Sequence, residues 1–561
     1  MKGTLRLIHN ELTKVFHQLS WKIITIIILA LSLLNPVLSH VFMKYVYVSD
    51  NSYYYEMYES AEDGTIEKEY YGVMVECDKF FDDNGIDSDD WRNEMYRLEY
   101  EDALNELRSL ELIKNGRDPE EVMSYMWCNN ITLEYGVENS VTVMYYDDST
   151  GEFVKLDRDV AASEYDNAKL RLDELGEHIK NVTIRSYAEG QISELKKSIE
   201  NREEYHKEAK AVYEADNTKK YDYEASLFNI YADKAALKVW EVLATSSRED
   251  EKWLLRTAET MFNYIDKGPQ LATLSREGYE NKEYLVETYG DYDNYCKITD
   301  KKRSDNIAAL NILVYSAENG KPLPELYPDS ARNDILDVVS SNASTVLLFC
   351  MVLAGSIVAS EHMSGSIRLL VIRPRARWKI LVSKLMCVVI YGLIMFAAAS
   401  AVSIAAVMII SGKSDIAIPM LLYRHGAVCE VSTVIYALAR TLVSALPNLL
   451  VISIAFFLSV LVKKVVFAVA IPMMINMFSS IASELVLSLN VKLPFLKWTI
   501  LPYFTTNGFT MDVVTRTSGN YSFDMTSLGF ELEHGLVISL IHIAFFIALS
   551  FIVFRRQEIK N

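Results

Sequence analysis

Six long runs free of Asp, Glu, Lys and Arg constrain the fold of this chain more than any other feature. A membrane-spanning helix needs roughly 20 apolar residues to cross about 30 Å of hydrocarbon. A buried helix of a soluble protein explains one such run, but a soluble core does not need six. The sequence therefore predicts an α-helical polytopic membrane protein. The predicted spans are residues 23–43, 338–360, 385–412, 441–462, 465–483 and 534–554.

Charge divides the chain into two unlike parts. Residues 43–330 hold 63 acidic and 34 basic side chains, a net charge of −29, whereas the remainder carries +10. The first span is expected to stay in the protein rather than act as a signal peptide, because 22 residues precede it and no small-residue cleavage site follows. We therefore expect a large acidic domain, residues 44–337, inserted between the first and second spans.

Basic residues predict the orientation, since cytoplasmic loops carry the excess of Lys and Arg. The segments 1–22, 361–384, 463–464 and 555–561 together carry a net charge of +12. All four fall on one side if the spans alternate. The acidic insert and the nearly neutral loops 413–440 and 484–533 fall on the other. We expect the protein in the cell membrane, with both termini in the cytoplasm and residues 44–337 outside the cell.

These segments define the predicted organisation of the chain. An amphipathic helix at 1–22 precedes the first span, the second span is followed by a cytoplasmic loop at 361–384, and residues 555–561 form a cytoplasmic tail. The remaining four spans lie within 385–554. Prolines and aromatic residues in 484–533 favour an extracellular loop with short interfacial helices and a partly re-entrant hairpin.

The N-terminal segment has the pattern of an amphipathic helix. Leu5, Ile8, Leu12, Val15 and Leu19 recur at spacings of three and four residues, which places them on one helical face. Lysine, arginine and histidine occupy the other faces. Such a helix is suited to the headgroup region of a membrane. The alternative is a plain extension of the first span into the cytosol.

The insert has the pattern of an α-rich domain with a small β element. Residues 88–113 show helical periodicity, and long helices are predicted from Asp157 onward. Short strands are predicted at 131–135, 141–146 and 153–156. The turn between the last two, at 147–151, ends in glycine and favours a hairpin. Because the insert is acidic, it suits a cationic peptide or a cation, although a solvated surface explains the charge equally well.

Two motifs resemble known binding sites but lack residues that those sites require. The Asp-rich segment 82–90 resembles a calcium loop, but the first and twelfth ligand positions fall on Phe80 and Trp91, where acidic residues are required. Gly412-Lys413-Ser414 resembles the end of a phosphate loop, but Val407 stands where the first glycine belongs. We therefore expect no enzyme activity in this chain, no catalytic, cofactor-binding or metal-binding residues, and no nucleic-acid partner.

The loop after the second predicted span resembles that of ABC-2-type ABC exporter permeases. Their pattern is an acidic residue, then Gly-Ser/Thr-Ile/Leu-Arg/Lys, an apolar pair, a proline with a basic residue, and a lysine before the third span. Residues 10–14, Asn-Glu-Leu-Thr-Lys, also resemble the opening helix of that family, and a long insert after the first span occurs in its sodium-efflux-like branch. The matching residues of the loop are Glu361, Gly365, Ser366, Ile367, Arg368, Leu369, Leu370, Pro374, Arg377 and Lys384.

The resemblance covers the N-terminal helix and the six spans, and it implies a coupling helix that docks on a separate cytoplasmic ABC ATPase. That partner would bind ATP and Mg, and a second permease copy or a paralogue would complete the transporter in the lipid membrane. The alternative is that the arginines only follow the positive-inside rule. The implied contact residues are Glu361, Gly365, Ser366, Ile367, Arg368, Arg373, Pro374 and Arg377 in the loop, with Glu11 and Lys14 in the N-terminal helix.

A second hypothesis is a surface protein that transports nothing. The phage-infection-protein family also places a long helical insert between a first span and a five-span remainder. A chain of that kind would act as a receptor or scaffold without an ATPase. Heptad repeats throughout the insert would favour it. Here an apolar repeat covers a part of the insert, around Leu172, Ile179 and Leu195.

Overall fold

The computed structural model describes most of the chain. The described residues are 2–46, 51–88, 90–135, 141–147, 150–246, 252–326, 330–366, 377–410, 416–462, 464–489, 495, 498–504, 511–519, 530 and 532–556.

Helices dominate the described residues. The helices are α1 (Lys2–His17), α2 (Leu19–Val46), α3 (Asn51–Ser60), α4 (Ile66–Asp83), α5 (Trp91–Lys114), α6 (Pro119–Met123), α7 (Arg158–Asn181), α8 (Ile184–Ala215), α9 (Lys220–Thr245), α10 (Lys252–Thr260), α11 (Gly268–Leu271), α12 (Arg276–Glu280), α13 (Glu283–Tyr289), α14 (Tyr292–Asn319), α15 (Ala331–Ser356), α16 (Ala359–Met363), α17 (Arg377–Ile410), α18 (Thr433–Leu461), α19 (Val465–Leu489), α20 (Val513–Ser518) and α21 (Leu532–Arg556). The strands are β1 (Ile131–Tyr135), β2 (Val141–Asp147), β3 (Glu152–Lys155), β4 (Met420–Arg424) and β5 (Ala427–Val431). Short 3-10 helices occupy Met261–Tyr264, Pro324–Leu326 and Leu501–Phe504.

Side-chain caps explain where several of these helices begin. Thr65, Asp90, Asp157 and Asp291 precede α4, α5, α7 and α14, and each accepts a hydrogen bond from a backbone N–H of the first turn. Ser330 caps α15 in the same way, through the N–H of Arg332. The start of α15 is therefore fixed before the chain enters its apolar stretch.

Five helices in the described part of the chain are long and apolar enough to cross a membrane, so the protein is an α-helical membrane protein. Their bounds are Leu19–Leu38, Ala331–Met363, Arg377–Ile410, Thr433–Leu461 and Leu532–Arg556. The predicted span 465–483 lies within α19, whose apolar stretch Val465–Ser479 is shorter. Helices α2, α18 and α19 each contain a proline in their interior, which neighbouring helices can accommodate.

The chain divides into two compact units, and the larger comprises Met1–His40 with Ala188–Asn561. In this unit α15 packs against α17 and α18, and α21 packs against α18. Val15 and Trp21 from the N-terminal segment are buried in the same core as Tyr391 and Phe456. The apolar face of α1 thus contributes to the core through Val15, while Leu5 remains exposed.

Small and polar residues bring the membrane helices into close contact, as is typical of helix packing in lipid. Asn342 of α15 donates a hydrogen bond of 2.8 Å to Ser403 of α17, whose hydroxyl donates one of 2.6 Å to the carbonyl of Ser32 in α2. At Gly355, α15 approaches α19 so closely that a Cβ atom would lie 2.6 Å from the carbonyl oxygen of Ala468. These contacts require short side chains at the crossing points.

The smaller unit is Val41–Tyr187, and it confirms the predicted β element. The strands form an antiparallel sheet in the order β1-β2-β3, with Leu133 opposite Val143 and Tyr145 opposite Val154. The sheet shares one hydrophobic core with α4, α5 and α7. The buried Glu106 carboxylate accepts hydrogen bonds from Tyr145 Oη, at 2.9 Å, and from Arg171, at 2.5 Å.

A second hairpin, β4–β5, was not predicted from the sequence. It lies in the segment 413–440, for which a loop was expected, and α18 follows it from Thr433. His425 and Gly426 both have positive φ, at 51° and 83°, which is the geometry of the two-residue turn that joins tightly paired strands. Glu430 of this hairpin accepts a hydrogen bond of 2.8 Å from Tyr315 of α14.

Candidate functional site

Four charged residues from three parts of the chain meet at one end of α15, in what we call the ion cluster: Glu11, Lys14, Glu361 and Lys384. Helix α1 supplies Glu11 and Lys14, one turn apart on the same face. Helix α16 supplies Glu361, and Lys384 lies in the second turn of α17. The formal charges of the four side chains sum to zero.

Lys384 is the centre of the ion cluster. Its Nζ lies 2.8 Å from Glu361 Oε2 and 3.2 Å from Glu11 Oε2, and it donates a hydrogen bond of 3.3 Å to the carbonyl oxygen of Ile357. Its side chain is 2% exposed. The ammonium donates hydrogen bonds to Glu11 and Ile357, and its contact with Glu361 is an ion pair. Lys384 therefore holds α1, α16 and the end of α15 together.

Lys14 closes the cluster on its exposed side. Its Nζ lies 3.1 Å from Glu11 Oε1 and 3.3 Å from Glu361 Oε1, so both carboxylates contact two cations. Burial alone would lower the pKa of Lys14, but the charges and hydrogen bonds of Glu11 and Glu361 outweigh it and raise this pKa. Lys14 therefore remains charged throughout the physiological pH range.

A break in the helix positions Glu361. Helix α15 ends at Ser356, and the backbone N–H groups of Val358 and Ala359 both donate to Ser459 Oγ of α18, at 3.1 and 3.0 Å. The short helix α16 then carries Glu361 back toward Lys384. Buried N–H groups at a helix break need such a partner. Ser459 thus fixes the angle at which the chain leaves the membrane helix.

The predicted loop residues are described in part. Gly365 has φ = 72°, a left-handed conformation that side chains disfavour, and the space around its Cβ position is open. Ser366 Oγ lies 2.9 Å from Ser364 Oγ, and Arg377 is the first residue of α17. Ile367, Arg368, Arg373 and Pro374 lie outside the described residues, which resume at 377.

Two large apolar side chains flank this loop and are exposed. Met363 ends α16 with 64% of its surface accessible, and Trp378 begins α17 with 55% accessible. The Lys379 ammonium lies over the Trp378 ring, 5.5 Å from its centroid. Tryptophan is enriched among the residues that dominate protein–protein interfaces. The surface beside the ion cluster therefore has the composition of a docking surface.

The sequence resemblance singled out Glu11, Lys14, Glu361 and Lys384 but did not pair them. In the structure each of the two lysines forms an ion pair with each of the two glutamates. Opposite charges at 11, 14, 361 and 384 are compatible with such pairing, but the distances along the chain give no direct sign of it. The role of Ser459 at the helix break could not be predicted from the sequence, because serine is common in membrane helices.

Comparisons with known proteins match part of the chain. A family model described as "Protein of unknown function (DUF2705)" matches residues 319–560. The uncharacterised protein YhcI of Bacillus subtilis (strain 168) is 25% identical over 241 residues, which is 42% of this chain and 72% of that protein. No solved structure matches. The region that the family model covers includes Glu361 and Lys384, whereas Glu11 and Lys14 lie outside it.

Proposed function

We propose that this chain is the permease subunit of an ABC exporter, driven by ATP that a separate ATPase subunit hydrolyses. The observation that carries the proposal is the ion cluster. It joins both ends of the loop that resembles a coupling helix, at Glu361 and Lys384, to the N-terminal helix at Glu11. A force on that loop therefore reaches α1, α15 and α17 together.

Burial strengthens the ion pairs that form this connection. An exposed ion pair contributes about 0–1 kcal/mol and breaks easily. Removing one partner of a buried pair costs about 3–5 kcal/mol, because the other charge is left uncompensated. The Lys384 side chain, 2% exposed, belongs to the buried class, and that of Glu361, 13% exposed, is close to it. The cluster would thus move as one body when a partner pushes on it.

The exposed apolar residues beside the cluster supply the contact. Met363 and Trp378 flank the loop, and Arg377 with the loop arginines adds groups that suit an acidic groove. The sequence contains no phosphate loop, so an energy source must come from another subunit. In this proposal the partner ATPase binds ATP and Mg, and a second permease copy or paralogue completes the pathway.

The topology belongs to the same proposal. Six spans with both termini in the cytoplasm place the ion cluster and the docking surface on the cytoplasmic side, within reach of an ATPase. Residues 44–337 are then extracellular, where they bind, gate or sense the substrate. The charge distribution supports this orientation, because the segments beside the cluster carry the excess of basic residues.

The test is copurification of an ATPase subunit with the tagged full-length chain from its native membrane in mild detergent. Wild type should retain an ABC ATPase, and Trp378→Ala and Gly365→Val should lose most of it while still inserting and folding. Lys464→Met is the matched control, since Lys464 is exposed. A wild-type chain that purifies without any ATPase would overturn the proposal and favour a receptor or scaffold.

A further inference from the structure

A cavity of about 750 Å³ lies at the end of α15 opposite to the ion cluster. Its walls come from α14, the 3-10 helix Pro324–Leu326, the hairpin β4–β5, the first turns of α18, and residues 511–516 before and within α20. Helix α15 has 26 residues and rises about 1.5 Å per residue, so the cavity and the ion cluster are separated by the length of a membrane span. The volume lies in the range of small-molecule sites, about 300–1,000 Å³.

Ion pairs and hydrogen bonds fix the walls of the cavity. Arg516 of α20 forms an ion pair of 2.9 Å with Asp305 of α14. Thr517 receives a hydrogen bond of 2.6 Å on its carbonyl oxygen from Lys267, and its hydroxyl lies 2.8 Å from Tyr264 Oη. These bonds join α20 to segments more than 200 residues away in sequence. The cavity is thus built by the fold and does not depend on a single loop.

Glu325 presents a buried carboxylate oxygen to this cavity. Its Oε2 is inaccessible to solvent and has no hydrogen-bond partner. Burial, with the negative charge of Asp512, raises the pKa of Glu325 to about 8, against the opposing charges of Arg332 and Arg440. A buried polar atom without a hydrogen-bond partner is costly, and the fold gains nothing visible from Glu325 Oε2. This carboxylate oxygen is therefore able to accept a hydrogen bond from a bound ligand.

Arg440 presents the complementary group. It lies in the second turn of α18, lines the same cavity and is half-buried. No hydrogen bond or ion pair joins its guanidinium to another residue in the described part of the chain. A guanidinium has five donors in a planar fork that matches carboxylate and phosphate oxygens. The cavity therefore holds one buried acceptor without a hydrogen-bond partner and one half-buried guanidinium, whose charge acts on Glu325 and Asp337.

The cavity also has apolar walls, and its charged groups of opposite sign disfavour the binding of a simple ion. Ile312, Leu323, Ile435, Val443 and Leu532 contribute apolar surface. A lone cation would meet Arg440, and a lone anion would meet Glu325 and Asp512, so each would gain one favourable contact and one repulsion. A molecule with both charges and an apolar body satisfies every group at once.

We propose that this cavity binds a zwitterionic amphiphile, a molecule in which a primary ammonium and an anionic group are carried by an apolar body. The ammonium donates to Glu325, the anionic group accepts from Arg440, and the apolar body lies against Ile312, Leu323 and Ile435. A short hydrophobic peptide and an aminophospholipid both have this chemistry. The inference does not rest on the proposed ATPase partner, because it concerns binding to the chain alone.

The test uses the full-length chain in nanodiscs of phosphatidylcholine, whose quaternary ammonium cannot donate a hydrogen bond to Glu325. One arm adds trileucine, with N-acetyl-trileucine amide as its uncharged counterpart. The other arm replaces part of the lipid by phosphatidylethanolamine. Calorimetric affinity for the peptide and the midpoint of thermal unfolding in each lipid are measured. Trileucine binding identifies a peptide source and phosphatidylethanolamine stabilisation a lipid source, and either result supports the site.

Variants assign the effect to the cavity. Glu325→Gln and Arg440→Met should each weaken trileucine binding, or the lipid effect, by about tenfold or more, because each removes a charged hydrogen bond. Glu277→Gln and Lys297→Met are matched controls, since both residues are exposed and lie outside the cavity. Without ligand, Glu325→Gln should unfold no earlier than wild type, because it removes a carboxyl group whose ionisation the folded state disfavours. Should one variant fail to fold, the other decides the assignment.

Two results would overturn the proposal. In the first, neither trileucine nor phosphatidylethanolamine differs from its counterpart in affinity or in unfolding midpoint. In the second, binding occurs but Glu325→Gln and Arg440→Met retain it as fully as the two control variants do. Either result would leave the two charged groups as features of the fold alone.

Discussion

Lys384 Nζ lies 2.8 Å from Glu361 Oε2, so the loop between these two residues begins and ends at one ion pair. The residues are 23 positions apart, on α17 and α16 respectively. Because their side chains are 2% and 13% exposed, the pair is screened less by salt than an exposed pair is. A partner that binds the loop therefore acts on both membrane helices at once, and Glu11 extends the same connection to the N-terminal helix.

Removing the central cation of the cluster should destabilise the protein. Lys384→Met leaves Glu11 and Glu361 buried with Lys14 as their remaining cation, and we expect the free energy of unfolding to fall by about 3–5 kcal/mol. Thermal unfolding of the purified chain in one detergent measures the effect. Lys464→Met, on an exposed lysine, should leave the midpoint unchanged. Equal midpoints for both variants would show that the cluster does not hold the three helices together.

Gly355 should tolerate no side chain. In Gly355→Ala the new methyl group would lie 2.6 Å from the carbonyl oxygen of Ala468, so α15 and α19 must move apart and the unfolding midpoint should fall. Gly190→Ala is the matched control in α8, where nothing lies within 4 Å. It should raise the stability by about 0.5–1 kcal/mol, as expected for this exchange inside a helix. Opposite signs for the two variants confirm the close crossing, whereas two stabilising changes would contradict it.

The stability of the protein should depend on pH through Glu325. Because its pKa is raised in the folded chain, the folded state binds the proton more tightly than the unfolded state does. Glu325 therefore costs no stability below its unfolded pKa of about 4.3, and an increasing amount as the pH rises toward 8. Its charged neighbours are Asp512, Arg332 and Arg440, with the Tyr436 hydroxyl also near.

Glu325→Gln isolates this contribution. The midpoint of the variant minus that of wild type should increase between pH 5 and pH 8 and then level off, when both are measured without ligand in the same detergent. Arg440 and Asp512 are present in both proteins, so their titration cancels. A difference that stays constant with pH would show that Glu325 is ionised over the whole range.

The proposed topology can be tested with a native cysteine. Cys429 in β5 is exposed and Cys296 is half-buried, whereas Cys77, Cys128, Cys350 and Cys387 are buried, so the experiment is done in a Cys296→Ser background. A membrane-impermeant maleimide applied to intact cells should label the protein, and Cys429→Ser should abolish most of the label. Labelling that appears only after the cells are broken would place the hairpin β4–β5 inside the cell and reverse the orientation.

Local patterns predicted much of the fold because they depend on neighbouring residues. The charge-free runs correspond to helices, and the antiparallel strands Ile131–Tyr135, Val141–Asp147 and Glu152–Lys155 follow their apolar alternation and glycine turn. The hairpin β4–β5 was not predicted, because its strands have five residues each and its turn is His425-Gly426 rather than a more common Asn-Gly pair.

Contacts between distant parts of the chain were not predicted, because the spacing of residues in the sequence does not reveal them. The resemblance marked Glu11 and Glu361 as neighbours of an ATPase and Lys384 as part of the motif, but only the packing of α1, α16 and α17 shows that Lys384 pairs with both carboxylates. The division of the insert at Tyr187 also lacks a local sign, since α8 runs from Ile184 to Ala215 without a break. Arg440 was predicted to lie in a loop because the predicted span begins at residue 441, whereas α18 begins at Thr433.

The central claim is that the loop between Glu361 and Lys384 docks on an ATPase, and photo-crosslinking from position 378 tests it most directly. A benzoylphenylalanine in place of Trp378 is irradiated in intact cells, and the adduct is purified through a tag on this chain and identified by mass spectrometry. The same probe in place of the exposed Tyr284 is the control. The proposal predicts an ABC ATPase subunit in the adduct from position 378 and none from position 284. A normally expressed chain that gives no ATPase adduct from position 378 would contradict it.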